Sequence, residues 1–161
     1  MSKKLIAPIA AGVLLALAGT AQAAQKTATF TVTATVLDNC VISATDMNLG
    51  TFDGTNNLAA TSNISVSCTN GKAYDVSLSP GNSGNSAART LSNGSQTLAY
   101  NLYTTVDHDV VWDSTNVVSD TGGGMAVTNT HTVYGQLLAS DNTGAIDAGT
   151  YTDSITATIV Y

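Results

Sequence analysis

Hydrophobic and polar residues alternate along residues 26–37, whose sequence is KTATFTVTATVL. Threonine occupies every second position from 27 to 35, and the positions between them are apolar. This period of two predicts a β-strand with one hydroxylated and one apolar face. A strand near the start of a chain frays unless it docks on something, so it pairs either within its own molecule or with another one. The apolar face consists of Ala28, Phe30, Val32, Ala34 and Val36.

Shorter alternating segments follow, and together they predict seven or eight strands. The clearest are residues 62–69, 74–78, 98–103 and 132–139. The segments rich in Gly, Ser, Asn and other polar residues are predicted as loops, and they include residues 54–61, 82–94 and the polar stretch around 122–124.

The final segment, residues 151–161, is predicted as the last and longest strand. One of its faces carries Ile155, Ala157, Ile159 and Tyr161. Strands at this spacing, with no helical pattern between them, predict an antiparallel β-sandwich.

The composition agrees with an all-β domain. All eleven acidic residues are Asp, and the chain contains no Glu. Lys and Arg are also few, so the residues that favour helices are scarce. Thr, Val, Ser, Asn and Gly are abundant instead, which is typical of strands and turns.

The first 23 residues have the features of a secretory signal peptide. Lys3 and Lys4 precede an apolar run over residues 5–20, and Ala21-Gln22-Ala23 supplies the small residues expected at a cleavage site. A retained transmembrane helix is the alternative, but the run is short for that and rich in Ala and Gly. We therefore expect an exported protein that is not inserted in a membrane.

Cleavage after Ala23 would leave a strongly acidic chain of 138 residues, the size of one domain. Its cations are Lys26, Lys72 and Arg89, three against eleven Asp, which gives a formal charge of −8. This charge argues against nucleic acid and anionic membrane surfaces as partners.

The chain has two cysteines, Cys40 and Cys68. In an exported protein such a pair is expected to form one disulfide. The alternation around Cys68 places it on a buried face, where a bond to the region of Cys40 can form. A metal site is the alternative, but no His lies near the two thiols in the sequence.

Signals for catalysis are weak. The Gly-x-Ser-x-Gly motif of many hydrolases is absent, and a glycosidase would need two Asp because there is no Glu. Asp107-His108-Asp109 looks the most reactive, but it is predicted to be a solvated turn. Tyr103, Trp112 and Tyr134 could form a sugar-binding platform, although their places in strand patterns predict core positions. We therefore expect no enzyme, no cofactor and no metal site.

Several segments spread over residues 24–161 match one family in the same order. They are FTVTATVLDNCVIS, LGTF, ISVSCTNG, TLAYNLYT, VWDST, THTVYGQLLA and AGTYTDSITATIVY. The chain thus resembles a spore coat U-type domain, the subunit type of archaic chaperone–usher pili. The resemblance implies an incomplete immunoglobulin-like sandwich over residues 38–161, which a donor strand from another subunit completes.

The resemblance also implies roles for the two alternating ends. Residues 24–37 would be the donor strand, with Ala28, Phe30, Val32, Ala34 and Val36 entering the next subunit. The face formed by Ile155, Ala157, Ile159 and Tyr161 would line the acceptor groove and contact the chaperone.

The function implied is that of a structural subunit of a surface pilus that supports adhesion and biofilm formation. Its partners would be copies of itself or related pilins joined head to tail, a periplasmic chaperone and an outer-membrane usher. The alternatives are a secreted coat protein and a carbohydrate-binding β-sandwich module.

Overall fold

The structure is a computed structural model that describes residues 22–161. The predicted signal peptide lies outside the described residues except for its last two positions. The chain divides between Thr35 and Val36 into two compact units. In the first unit, the described residues 22–35 form no strand or helix, and their side chains are exposed.

The second unit contains eight strands; the predicted number was seven or eight, but two of these eight were predicted as loops, and the strand predicted over residues 26–37 is not among them. They are β1 (Cys40–Ala44), β2 (Leu58–Cys68), β3 (Ala73–Leu78), β4 (Arg89–Ser92), β5 (Thr97–Tyr103), β6 (Val118–Thr121), β7 (Asn129–Leu137) and β8 (Ala157–Val160). Three short 3-10 turns, at Gly81–Ser83, Ser86–Ala88 and Ala139–Asp141, are the helical elements of the described residues.

The strands form two antiparallel sheets. One has five strands in the order β1-β2-β7-β5-β4, and the other has three in the order β6-β3-β8. Apolar side chains alternate along the strands and fill the space between the sheets, as Ile64 and Val66 in β2 and Val76 and Leu78 in β3 illustrate. The prediction of an all-β, immunoglobulin-like antiparallel sandwich is confirmed.

A disulfide joins Cys40 to Cys68, as predicted. The two cysteines are paired positions of β1 and β2, so the bond fastens the first strand to its neighbour. A cross-link between positions 28 residues apart is expected to stabilise the fold by about 3 to 4 kcal/mol in the chain-entropy model.

Three predicted loops contain strand residues. β2 begins at Leu58, β4 lies within residues 82–94, and β6 precedes Gly122. β4 and β6 have four residues each, which is too short to show a clear alternation of apolar and polar side chains. Most of their side chains are only partly buried or exposed. They are strands because the backbone of β4 pairs with β5 and that of β6 pairs with β3. This pairing cannot be predicted from the periodicity of the sequence.

A buried arginine explains how β4 is held. Arg89 is 0% exposed, and its guanidinium donates to the Ser79 carbonyl from Nε at 3.1 Å and from Nη2 at 2.8 Å. It also donates to Asn101 Oδ1 and to the Trp112 carbonyl, both at 2.8 Å. Burial lowers the pKa of the guanidinium. Neutral oxygens therefore satisfy the charged group and connect β4 to three other segments.

The last strand is shorter than predicted. β8 covers Ala157–Val160, whereas residues 151–156 form one isolated bridge, Ser92 with Thr152. The reason is the length of its neighbour: β3 ends at Leu78, just before Ser79 and Pro80. The alternation nevertheless continues, since residues 151 to 159 are partly buried at every odd position and exposed at every even one.

Candidate functional site

β8 has an unpaired edge. It pairs with β3 on one side, with Val76 opposite Ile159 and Leu78 opposite Ala157. It is the outermost strand of its sheet, so within residues 22–161 no strand pairs with its other side. Unpaired N–H and C=O groups along an edge are a template for another strand.

β1 forms the corresponding edge of the five-stranded sheet. Just after β1, the Thr45 backbone N–H still donates to the Asn63 carbonyl of β2. From there to residue 57 the chain forms no strand. Met47 and Leu49 of this stretch pack over Gly135 on the inner face of β7, where a Cβ would overlap the Met47 sulfur. The missing side chain at Gly135 therefore lets this segment lie against the core.

A cleft of about 400 Å³ opens into the core between these elements. Core side chains form its floor, namely Ile64, Leu78, Leu102 and Val133. Met47 and Leu49 line it on the side of the five-stranded sheet, and Ile155 and Ala157 line it on the side of β8. A cavity of about 150 Å³ accommodates benzene, so the cleft has room for more than one large apolar side chain.

The four residues predicted for the acceptor face lie in different surroundings. Ile155 and Ala157 line the cleft, and Ile159 packs against the core farther along β8. Tyr161 is 50% exposed and does not line the cleft.

One end of the cleft is polar. Tyr100 Oη donates to Asp153 Oδ2 at 2.7 Å, and Asp153 Oδ1 accepts from the Asn82 backbone N–H at 2.7 Å. Burial raises the pKa of Tyr100 well above its ordinary value, and the hydrogen bond to Asp153 raises it further. Sequence reasoning missed this pair, although Asp153 shares the inward parity of Ile155 and Ala157 and that parity could have revealed it.

The five residues predicted for a donor face are exposed within the described chain. Phe30 is 87% exposed, and Val32 and Val36 are each 82% exposed. Ala28 and Ala34 are also exposed. The largest apolar side chains of residues 26–37 are therefore exposed to solvent in this structure.

The aromatic residues considered for a sugar platform do not share one surface. Trp112 is 0% exposed, and its indole Nε1 donates to the Val76 carbonyl at 2.9 Å, so it belongs to the core as predicted. Tyr103 and Tyr134 are paired positions of β5 and β7 on the opposite face of their sheet, and both are only partly buried. The core prediction is wrong for these two. Each directly follows an inward-facing residue, Leu102 in β5 and Val133 in β7, so its side chain points to the other face of the sheet.

The Asp107-His108-Asp109 segment lies in a turn, as predicted. The ring of His108 packs edge-on against Tyr103 and Tyr134. In the part of the chain that the structure describes, no group of three His, Cys, Asp or Glu side chains is arranged to hold a metal ion. Over the same residues, no helix is long and apolar enough to cross a bilayer.

Comparison with solved structures gives a match to a pilus subunit complex. The matched chain comes from the crystal structure of the CsuC–CsuE chaperone–tip adhesion subunit pre-assembly complex, from archaic chaperone–usher Csu pili of Acinetobacter baumannii. The TM-score is 0.59 and the sequence identity 26%. The match covers 79% of this chain but only 40% of the other.

Comparison with protein families is also informative. No curated protein sequence matches the chain. The family model for the Spore Coat Protein U domain matches residues 26–158, which includes the alternating N-terminal segment and the first half of β8. The chain therefore belongs to the Spore Coat Protein U domain family.

Proposed function

We propose that this protein is a structural subunit of a chaperone–usher pilus and that it polymerises by donor-strand complementation. Residues 24–37 of one copy enter the cleft beside β8 of the next, with Ala28, Phe30, Val32, Ala34 and Val36 facing inward. Each copy donates one strand and accepts one. Such a head-to-tail contact generates an open filament.

The observation that carries this proposal is the cleft of about 400 Å³ beside the unpaired edge of β8. An added strand would satisfy the backbone groups of that edge and place every second side chain in the cleft. Residues 26–37 have the required period of two, and their apolar side chains are exposed. Burying Phe30, Val32 and Val36 would contribute about 5 to 9 kcal/mol before the cost of ordering the segment.

Before assembly, the open cleft and the unpaired edge of a subunit need to be covered by another protein. An open cleft with apolar side chains on its floor and an unpaired strand edge both promote aggregation in water. A periplasmic chaperone that covers them, followed by an outer-membrane usher where the donor segment takes over, would solve this problem. The Csu complex is a chaperone bound to a pilus subunit, which supports this route for a protein of similar fold. The mature protein would then lie in a fibre at the cell surface and support adhesion and biofilm formation.

Deletion of residues 24–36 tests the proposal. The shortened chain should still fold, form its disulfide and bind the chaperone, but it should no longer appear in fibres by electron microscopy. Separate co-purification with the chaperone shows that the subunit reached the periplasm intact. Fibres of normal length and number from the shortened chain would overturn the proposal.

A further inference from the structure

β8 and the residues before it point every second side chain toward the core, and one of these side chains is small. Along this row Asp153, Ile155, Ala157 and Ile159 follow one another at every second position. Ala157 is the smallest, and it lies in the wall of the cleft. The residue opposite it on β3 is the buried Leu78, which forms part of the cleft floor. The wall of the cleft is therefore indented at Ala157.

The opposite side of the cleft also has small side chains. Ala44, at the end of β1, and Ser62, in β2, line the cleft on the side of the five-stranded sheet. Met47 and Leu49 line the same side, so the space beside Ala157 is bounded by both small and large side chains.

The donor segment has the reciprocal pattern. Its apolar row contains one aromatic residue, Phe30, between Ala28 and Val32. On paired strands, directly opposite residues have their Cβ atoms about 4.5 to 5.5 Å apart and share one face of the sheet. A large side chain opposite a small one fills the space between the sheets without overlap.

We infer that Phe30 of one copy lies directly opposite Ala157 of the next copy, and that this pair sets the register of the added strand. The inference rests on the proposed function and adds the position at which the segment is held. Ala157 is then the residue that determines which donor segments the cleft accepts.

The pairing holds for either direction of the added strand. Whether that strand runs parallel or antiparallel to β8, Ala28 and Val32 lie opposite Ile155 and Ile159, in one order or the other. A shift of two residues would place Phe30 opposite an isoleucine and leave Ala28 or Val32 at the indentation. Such a shift combines overlap at one position with a void at the next, and both are unfavourable in a packed interior.

The first test exchanges the sizes of the two side chains in the full-length chain, expressed in the cells that make the fibre. Ala157→Leu and Phe30→Ala should each reduce the amount of polymer at least about tenfold, and the double variant should recover several-fold over either one. Thr158→Leu is the matched control, because Thr158 is the exposed neighbour of Ala157 on the same strand, and it should polymerise normally. Normal polymer from Ala157→Leu, or a double variant no better than the singles, would overturn the pairing.

A second test does not depend on how Ala157→Leu folds. Phe30 is replaced by the photoreactive p-benzoylphenylalanine in the full chain, fibres are irradiated, and the attachment site is found by mass spectrometry. Attachment at Ala157 or Leu78 supports the pairing, whereas attachment centred on Ile155 or Ile159 overturns it. The deletion of residues 24–36 distinguishes failure of the proposed function from failure of the register. Polymer from the deletion variant would refute the proposed function. A cross-link at Ile155 or Ile159, together with no polymer from the deletion variant, would refute only the register.

Discussion

Residues 26–37 and strand β2 have the same alternating pattern but differ in their surroundings. β2 is paired on both sides, with β1 and β7, and its residues Ile64, Val66 and Cys68 are at most 2% exposed. Residues 26–37 form no strand, and Phe30 and Val32 are more than four-fifths exposed. The difference shows that alternation specifies which side chains share a face, but not which surface covers that face.

The physical reason is that the period of two is a local property, whereas burial depends on distant residues. β2 is buried because residues 40–44 and 129–137 pair with its two edges and because its apolar side chains pack with those of the other sheet, such as Val76 and Leu78. The donor hypothesis assigns the corresponding neighbours of residues 26–37 to a second copy. The two regions can therefore be distinguished by asking which one responds to a substitution in the single chain and which one responds only in the polymer.

The largest expected effect comes from a charge on the apolar face of residues 26–37. Phe30→Asp would bring a carboxylate against the apolar floor of a cleft that already contains Asp46 and Asp153, at a cost of several kcal/mol, so polymer yield should fall more than about a hundredfold. Thr31→Asp places the same charge on the other face, and fibres of this control should form. Electron microscopy and sedimentation measure both. Equal yields from the two variants would show that the assigned parity of the segment is wrong.

A matched pair of valines gives the next effect in size. Val66→Ala in β2 removes fully buried methyl groups and should lower the free energy of unfolding of the single chain by about 2 to 3 kcal/mol. Val32→Ala is the same substitution at an exposed site, and it should change that free energy by less than about 0.5 kcal/mol. Urea unfolding of unpolymerised chains measures both values. A similar loss from Val32→Ala would mean that this segment is already packed within its own molecule.

The smallest effect is a dependence on alkaline pH that belongs to the folded unit alone. Because burial and Asp153 raise the pKa of Tyr100, the folded chain keeps a proton that the unfolded chain releases near about pH 10. Stability from this group is complete below that pH and is lost above it, by up to about 1.4 kcal/mol per pH unit. Tyr100→Phe should make the decline shallower, but Tyr74 and Tyr103, whose pKa values burial also raises, should keep part of it.

The deletion of residues 24–36 is the control for this measurement, because that segment contains no tyrosine. Its urea midpoints between about pH 9 and 11.5 should decline as steeply as those of the intact chain. A decline that becomes shallower on deletion would indicate that the segment contributes to the environment of Tyr100.

Much of the fold could be read from the residue pattern. The inward positions of β2, β3, β5 and β7, the disulfide between Cys40 and Cys68 and the inward row of residues 151–159 all follow from alternation and residue type. These features are local, or they depend on the strong preference of paired cysteines in exported proteins. Both ends of the proposed contact are alternating rows, but their roles as donor and acceptor came from the resemblance to the family.

Other features required the folded chain. β4 and β6 pair without a clear pattern of their own, and Arg89 is buried because the Ser79 and Trp112 carbonyls and the Asn101 side chain meet around it. The cleft is lined by segments far apart in the chain, with Met47 and Leu49 on one side and Ile155 and Ala157 on the other. Residue order along a strand sets the direction of each side chain, but backbone pairing and empty space arise between segments far apart in the chain, where local periodicity carries no information.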